Sequence, residues 1–248
     1  MNNAVTVTPL VSIVVISKDD PTGLCRTLAS IAEQRFADLE IVVVVKGDSG
    51  SVDACERSHQ PYQWLVQWSA GISNAFNEGI AAARGRWINF LNGGDAYRHA
   101  SVLSELEGVL RRTDALLVTG RARDSRTGVM IPRDHSFRNH NVELVSHQAS
   151  FFDRSLFERY GLYDRAFSIR MDLEWMLRLP QDIPSIWHDE VLVAFEGQGI
   201  SSTRPWCSCM EELHALRIHR RSFSRMVRLL VLYFPFRLAR SHWRRLWQ

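Results

Sequence analysis

Residues 11–45 read VSIVVISKDDPTGLCRTLASIAEQRFADLEIVVVV, and this stretch decides the fold. Its two ends, 11–17 and 39–45, are continuous runs of mostly β-branched residues, which is typical of strands buried on both faces. Apolar residues recur at helical spacing between the two runs, and Pro21 suits the first turn of a helix. The stretch therefore predicts a strand, a helix and a second strand of one parallel sheet.

The same alternation of strands and helices continues to residue 120. The predicted strands are 63–68, 86–91 and 115–119, and the predicted helices are 72–84 and 99–112. This order predicts an α/β fold with a Rossmann-like, mostly parallel central sheet and helices on both of its faces. Ligands in such sheets bind outside the carboxyl ends of the strands, so the loops that follow the strands form the candidate site.

The pattern becomes α+β in character after residue 120, and we expect this half to complete the cleft. It is predicted to contain a hairpin turning at Thr127-Gly128, a strand over 145–152, helices over 154–160 and 171–179, and short strands near 184–195.

Composition is that of an ordinary globular protein. Of the 248 residues, 46% are hydrophobic and 23% are charged, which allows a full core without a disulfide framework. The four cysteines lack metal-site spacing and are interpreted as reduced cytosolic thiols.

The apolar N-terminal stretch has no basic region or cleavage site, so it is interpreted as the first strand rather than a signal peptide. Because no apolar run reaches 18 residues, no membrane-spanning helix is expected.

Polar turns follow three of the predicted strands. They are Ser17-Lys18-Asp19-Asp20, Asp48-Ser49-Gly50-Ser51 and Asn92-Gly93-Gly94-Asp95. Any one of them is explained by the preference of Asp, Gly and Ser for turns. Because the three turns should meet at one edge of the sheet, the set favours a site for a nucleotide diphosphate with a divalent cation. Carboxylates would bind the base, the ribose and the metal, and glycine would allow close approach of the backbone.

Four segments resemble family 2 glycosyltransferases, which have the GT-A fold. Residues 11–45 are similar to the opening of that family, and Asp48-Ser49-Gly50-Ser51-Val52-Asp53 is similar to its Asp-x-Gly-Ser-x-Asp turn. GISNAFNEGIAAARGRWINFLNGGD resembles the block that carries the metal motif, and SHQASFFDRSLFERYGLYDRAFSIRMDLEWMLRL resembles the acceptor-side block. The resemblance covers roughly residues 10–204 in the family's order, and subtypes that build bacterial surface polysaccharides look closest.

The resemblance implies a GT-A domain over residues 1–206, with a nucleotide-sugar-binding half over 1–120 and an acceptor-side half over 121–206. Asp48 would contact the nucleotide base, Asp95 would hold Mg²⁺ or Mn²⁺, and Asp172 would be the general base. The other residues that the resemblance assigns to the donor side and the cleft are Ser17, Asp20, Asn74, Asn77, Asn92, His147 and Gln148.

The resemblance also implies inverting transfer from a nucleotide-diphosphate sugar to a hydroxyl of a saccharide acceptor that is lipid-linked. In such a reaction one carboxylate takes the acceptor proton while a metal offsets charge on the leaving diphosphate. Glu174 lies two residues from Asp172 on a predicted helix and therefore points elsewhere, in a structural or acceptor-facing role. The Gln-x-x-Arg-Trp motif of processive synthases is absent, which predicts transfer of a single hexosyl or deoxyhexosyl unit.

The sequence departs from the family pattern where acids are usual. Asn92 and Gly94 occupy earlier positions of the metal motif, and Met171 precedes the expected base. These departures leave a second hypothesis, a catalytically degenerate subunit that only binds nucleotide sugar. A nucleotidyltransferase or dinucleotide enzyme of similar topology is a third, but the chain has no Gly-x-Gly-x-x-Gly after its first strand, which argues against a dehydrogenase. No P-loop pattern is present either, which disfavours an ATPase.

The C-terminal residues 207–248 are predicted to be a basic, amphipathic helical tail. Residues 213–248 contain nine arginines and no Asp, Glu or Lys, so the formal charge of +3 for the chain leaves about −6 for residues 1–212. Arginines interleaved with bulky apolar residues suit the anionic inner face of a cell membrane, with the protein peripheral and cytoplasmic. Packing on the domain and a contact in a homo-oligomer are the alternatives, and nucleic-acid binding is disfavoured.

Overall fold

The computed structural model describes residues 8–46, 62–132, 145–196 and 199–220. Its strands are β1 (Val11–Lys18), β2 (Leu39–Lys46), β3 (Gln63–Val66), β4 (Trp87–Asn92), β5 (Ala96–Tyr97), β6 (Leu117–Asp124), β7 (Met130–Ile131), β8 (Ser150–Asp153) and β9 (Ser185–Phe195). Its helices are α1 (Pro21–Ala32), α2 (Ile72–Ala82), α3 (Val102–Arg112), α4 (Ser155–Tyr160), α5 (Met171–Arg178), α6 (Ile200–Thr203) and α7 (Pro205–Ile218). A 3₁₀ turn spans His147–Ala149.

One sheet runs through these parts of the chain in the order β3-β2-β1-β4-β8-β6-β9-β5, and β7 pairs with β6. The pairings among β3, β2, β1 and β4 are all parallel, as the sequence predicted for the first half. Strand β8 then runs antiparallel to both β4 and β6, whereas β9 runs parallel to β6. The predicted α/β fold is confirmed: the first four strands of the sheet are all parallel, and the rest of the sheet mixes antiparallel pairs with the parallel pair of β6 and β9.

The second half differs from the sequence prediction in the length of its strands. Strand β6 reaches Asp124 rather than residue 119, and β9 is one strand of 11 residues rather than several short ones. The two strands pair over most of their length, with an irregularity between Thr119 and Ala122 that lets the pairing resume after a shift in register. A β-bulge of this kind bends a strand without ending it. The polar residues that suggested breaks in the sequence therefore lie within continuous strands.

Both faces of the sheet are covered by helices, which explains the continuous apolar run of β1. Alternate residues of β1 enter two separate cores: Ile13 and Val15 pack with α1 and α3, whereas Val14 and Ile16 pack with α2, α4, α5 and α7. All of these β1 side chains are buried. The covered faces leave the ends of the strand for ligand contacts, and Lys18 is exposed at the carboxyl end.

Helix α7 belongs to the second of these cores and packs against α5. Cys209, Ala215 and Leu216 are buried, and Arg170 forms an ion pair of 3.4 Å with Glu212. The first part of the segment predicted as a tail thus lies on the domain, while 221–248 fall outside the described residues. In the described parts of the chain, no helix combines the length and the apolar character needed to cross a bilayer.

Glycine at position 79 lets α2 lie directly on β1. A Cβ built on Gly79 would overlap Val14 Cγ1, and valine cannot turn away because its side chain is branched at Cβ. Gly108 in α3 offers the opposite case, since a Cβ there meets no atom within 4 Å.

We expect Gly79→Ala to destabilise the protein by about 1–3 kcal/mol, because overpacking outweighs the gain in helix propensity. The matched change Gly108→Ala should stabilise it by about 0.5–1 kcal/mol, since only the propensity changes. Urea unfolding of both variants measures the two effects. Equal stabilisation by both would show that α2 does not sit at this distance from β1.

Candidate active site

Two adjoining cavities lie at the carboxyl ends of β1 and β4. Their volumes are about 390 and 360 Å³, and they share a wall made of Asp20, Ile72, Asn92, Gly93 and Ile200. This is the edge of the sheet that the alternation of strands and helices predicted as the binding edge. We call the larger one the acidic cavity and the smaller one the lysine cavity, after the residues that line them.

The acidic cavity brings together carboxylates from distant parts of the sequence. Asp95 comes from the turn after β4, Asp172 from the first turn of α5, and Glu196 from the end of β9. Further lining residues include His147, Gln148 and Arg170. The predicted cation ligand and the predicted general base therefore line one cavity.

Asp95 is buried in the floor of the turn that follows β4. Its Oδ2 accepts hydrogen bonds from Asn92 N at 2.8 Å and from Asn92 Nδ2 at 3.1 Å. Burial raises the pKa of Asp95 to about 6, although bonds from Asn92 and Gln148 and the charge of His147 act in the opposite direction. A bound cation would remove this burial penalty, because it would supply the missing positive charge.

The turn itself is fixed by backbone hydrogen bonds to β1 and α1. Gly93 N donates to Ile16 O at 2.8 Å, and Gly94 N donates to Gly23 O at 2.9 Å. Gly94 has a φ of +95°, a conformation in which any other residue would be strained. The position of Asp95 relative to β1 is thus set by the main chain.

Asp172 stands at the second residue of α5 with both of its oxygens bonded. Oδ1 accepts from Leu173 N at 2.8 Å, and Oδ2 lies 3.2 Å from His147 Nδ1. Burial would raise the pKa of Asp172, but the bond and charge of His147 and the charge of Arg170 hold it below the ordinary value. The side chain is 28% exposed. Asp172 is thus an ionised carboxylate with access to the cavity.

His147 and Gln148 lie in the 3₁₀ turn before β8. Asn89, in the middle of β4, holds this turn by donating from Nδ2 to Gln148 O at 2.9 Å and to Ser150 O at 2.8 Å. Tyr97 in turn donates its hydroxyl to Asn89 Oδ1 at 2.8 Å. Sequence reasoning missed Asn89, and the available signal was a polar residue inside the apolar strand WINFL.

Ser17 and Asp20 both line the lysine cavity, and Asp20 also lines the acidic one. Ser17 Oγ donates to Asp20 O at 3.2 Å, and Asp20 Oδ1 caps α1 by accepting from Gly23 N at 2.8 Å. Asp20 therefore has a structural role as an N-cap as well as a place in the site. Asp48, the predicted contact to the base, lies outside the described residues.

Two residues that the resemblance assigned to the donor side, Asn74 and Asn77, line neither of the two cavities. Asn77 is buried, and its amide forms a pair of hydrogen bonds with the backbone of Tyr163, at 2.9 Å to O and 3.0 Å from N. Both polar atoms of its amide are thus used to hold α2 against the backbone of Tyr163. Asn74 Nδ2 donates to Ala70 O at 2.6 Å in the turn before α2.

Glu174 points away from Asp172 and is structural. It is 2% exposed and accepts hydrogen bonds from Arg178 Nε at 2.9 Å, and its Oε1 lies 2.9 Å from His219 Nε2. This cluster ties α5 to the end of α7.

The structure adds cationic residues that sequence reasoning missed. Lys18 and Lys46, at the ends of the neighbouring strands β1 and β2, line the lysine cavity together with Gln67. Their position at the binding edge was the available signal, because each follows a run of buried residues. On the acidic side, Arg26 of α1 forms an ion pair with Glu196.

The residues around Asp95 fit a hard divalent cation held with few protein ligands. The oxygens of Asp95 are of the kind that Mg²⁺ and Mn²⁺ prefer. Within the described ranges, no group of three His, Cys, Asp or Glu side chains is arranged to hold a metal. A cation at Asp95 would therefore take most of its ligands from a diphosphate and from water.

The open α/β sheet, with two cavities side by side at its binding edge, has the fold of GT-A glycosyltransferases. A mannosyltransferase from Pyrobaculum calidifontis, solved with GDP-Man and Mn²⁺, has a TM-score of 0.68 at 17% identity over 96% of this chain and 74% of its own. S. aureus TarS 1–349 in complex with UDP also gives 0.68, at 12% identity over 84% of this chain, which spans 64% of that one.

The chain belongs to glycosyl transferase family 2, whose family model matches residues 12–171. An uncharacterised glycosyltransferase of Mycobacterium tuberculosis is 30% identical over 225 residues, covering 86% of this chain and 85% of its own. A PGL/p-HBAD biosynthesis glycosyltransferase of Mycobacterium bovis is 26% identical over 246 residues, covering 94% of each. The family and fold expected from the sequence are thereby confirmed.

The raised pKa of Asp95 makes the stability of the protein depend on pH. The folded state binds this proton more tightly than the unfolded state, so stability is lost as pH rises from about 4 to about 6. The difference from the ordinary value of 3.8 corresponds to about 3 kcal/mol above pH 6. Asp95→Asn keeps an acceptor oxygen for Asn92 N but carries no charge.

We therefore expect Asp95→Asn to be more stable than the wild type by up to about 3 kcal/mol at pH 8 in metal-free buffer. The advantage should shrink to nearly zero at pH 4. Urea unfolding with EDTA present, repeated across this pH range, measures the difference. A difference that stays constant with pH would contradict the burial of an ionised Asp95.

Proposed function

We propose that this protein is an inverting, cation-dependent glycosyltransferase. It moves a single hexosyl or deoxyhexosyl unit from a nucleotide-diphosphate sugar to a hydroxyl of a lipid-linked saccharide in bacterial surface polysaccharide synthesis. The observation that carries the proposal is the pair of carboxylates in one cavity: the pKa of Asp172 is lowered, while that of Asp95 is raised to about 6. Two carboxyl groups whose pKa values are pushed apart suit two different roles in one reaction.

The lysine cavity suits the nucleotide part of the donor. Lys18 and Lys46 supply positive charge beside the strand ends, and Gly93 in the shared wall exposes main chain. A Cβ at Gly93 would come within 3.1 Å of Ser17 Oγ, so a side chain would narrow the passage between the cavities. A diphosphate placed at this wall would direct its sugar into the acidic cavity, towards Asp172.

Asp172 is the proposed general base. It takes the proton from the acceptor hydroxyl as that oxygen attacks the anomeric carbon, and the bond from this carbon to the diphosphate breaks on the opposite side with its electron pair leaving on the diphosphate. An ionised carboxylate with both oxygens already anchored needs little reorganisation to accept the proton. A cation bound at Asp95 would offset the charge of the leaving diphosphate.

The competing hypothesis is a degenerate subunit that binds nucleotide sugar without turnover. It is motivated by Asn92 and Gly94, which stand where the family usually carries acids. The two hypotheses predict the same binding but different consequences of changing Asp172.

A thermal-shift screen of UDP-, GDP- and dTDP-sugars with Mg²⁺ or Mn²⁺ identifies the donor, and release of its nucleoside diphosphate then measures turnover. We expect Asp172→Asn to lower kcat by at least about 100-fold with little change in donor affinity, since general-base catalysis contributes about 10²–10⁴. Asp95→Ala should abolish the stabilisation that donor and cation give together. Glu174→Gln, on the same helix but outside the cavity, is the control for damage to α5.

Donor binding with no turnover in the wild type would favour the binding subunit. Absence of any shift with donor and cation together would refute both hypotheses. Turnover unaffected by Asp172→Asn would leave the enzyme but remove its proposed base.

The proposed location is the cytoplasmic face of the membrane, held by the arginine-rich residues 213–248. Residues 213–218 of this segment belong to α7, which packs on the domain through Ala215 and Leu216 and exposes Trp206 and Met210, by 58% and 46%. Aromatic and arginine side chains together suit the surface of an anionic bilayer, to which each arginine near the surface contributes about 1 kcal/mol.

We expect the full-length protein to co-sediment with vesicles that contain phosphatidylglycerol and to be released by 1 M NaCl, because salt screens the attraction. Vesicles of phosphatidylcholine alone should retain much less protein. Equal binding to both vesicle types, unaffected by salt, would contradict the electrostatic part of the proposal.

A further inference from the structure

His147 lies in the acidic cavity beside Asp172. Its Nδ1 lies 3.2 Å from Asp172 Oδ2. Its side chain is 15% exposed, so the bond to Asp172 is largely shielded from water. Because ionised Asp172 can only accept, the geometry requires a proton on Nδ1.

The main chain around His147 is anchored from several sides. Asn89 of β4 holds the carbonyls of Gln148 and Ser150, and Ser150 Oγ donates to Ser146 O at 2.7 Å. Phe76 of α2 packs edge-on against the imidazole, with ring centroids 5.9 Å apart. The ring is thus held by elements outside α5, and this independence lets it act as a fixed reference for Asp172.

We infer that His147 is a positioning residue for Asp172: by donating from Nδ1 it fixes the carboxylate in the orientation that receives the acceptor proton. The inference rests on the proposed function of Asp172 as the base. Leu173 N holds one oxygen from within α5, and His147 holds the other from across the cavity. Without His147 the carboxylate keeps only a bond to its own neighbour and can rotate about the bond from Cβ to Cγ.

The alternative role for His147 is direct binding of the donor. His147 Nε2 is buried and has no hydrogen-bond partner among the described residues. If this atom bound the donor directly, His147 would matter for donor affinity and not through Asp172. The two roles predict different results for variants that keep one ring nitrogen and lose the other.

The side chain of asparagine can place its amide nitrogen near the position of Nδ1, whereas leucine removes both nitrogens. We expect His147→Leu to lower kcat by about 10- to 100-fold with donor affinity little changed, because a loosened catalytic group costs this much in related situations. His147→Asn should recover most of the loss. In the Asp172→Asn background, His147→Leu should cause no further loss, since a positioning residue acts only through its target.

His219→Leu is the matched control. His219 is 20% exposed at its side chain and bonds Glu174, also on α5 but outside the cavity. The His219→Leu variant should lose stability, as the His147→Leu variant does, but its kcat should stay unchanged. Multiplicative losses in the double variant, loss of donor affinity in His147→Leu, or no recovery by His147→Asn would overturn the inference.

A spectroscopic test does not depend on turnover. In the protein labelled with ¹⁵N-histidine, the imidazole signals that vanish in His147→Leu identify this residue. Its Nδ1 should show the ¹⁵N chemical shift of a protonated nitrogen. The change Asp172→Ala should abolish the preference of the proton for Nδ1. An unprotonated Nδ1 in the wild type would refute the positioning role directly, whereas a protonated Nδ1 in a protein without turnover would show the contact intact and the proposed function wrong.

Discussion

The continuous burial of β1 is the constraint on which the rest of the molecule depends. Residues 11–17 have no exposed side chain, because α1 and α3 cover one face and the helices of the second core cover the other. A strand enclosed in this way can present polar groups only at its end. Ser17 and Lys18 appear there, and the turn after β4 hooks onto Ile16 O through Gly93 N.

The chemistry of the site follows from joining two unlike halves at that point. The parallel half supplies the lysines at the ends of β1 and β2, and Asp95 on the turn after β4, which main-chain hydrogen bonds hold in place. The second half supplies Asp172 on a helix and His147 on a turn, each held by hydrogen bonds that cross between elements. Burial raises the pKa of Asp95, whereas hydrogen bonds to both oxygens and nearby positive charge lower the pKa of Asp172, so the two carboxylates differ although they share a cavity.

Much of this arrangement could be predicted from sequence, because strands buried on both faces and turns at strand ends have strong local signatures. The positions of Asp95 and Asp172 followed from the family pattern. The structural role of Asn77 could not be predicted in this way. In the sequence, an asparagine on α2 looks the same whether it faces a ligand or the backbone of Tyr163, 86 residues away. The contact between His147 and Asp172, 25 residues apart on different elements, and the anchoring role of Asn89 likewise depend on tertiary packing that no local pattern records.

In the proposed function, the absence of acids at Asn92 and Gly94 changes how a cation would bind rather than whether it would bind. With Asn92 and Gly94 in place of carboxylates, Asp95 is the acid that the turn offers, and the pKa of that acid is raised by burial. A free cation would gain little there, because one carboxylate replaces few of its water ligands. A cation that arrives with a diphosphate brings further oxygen ligands and neutralises Asp95 at the same time. Under the proposed function, the site would therefore favour the metal–nucleotide complex over either component alone, and it would couple occupation by metal to the presence of donor.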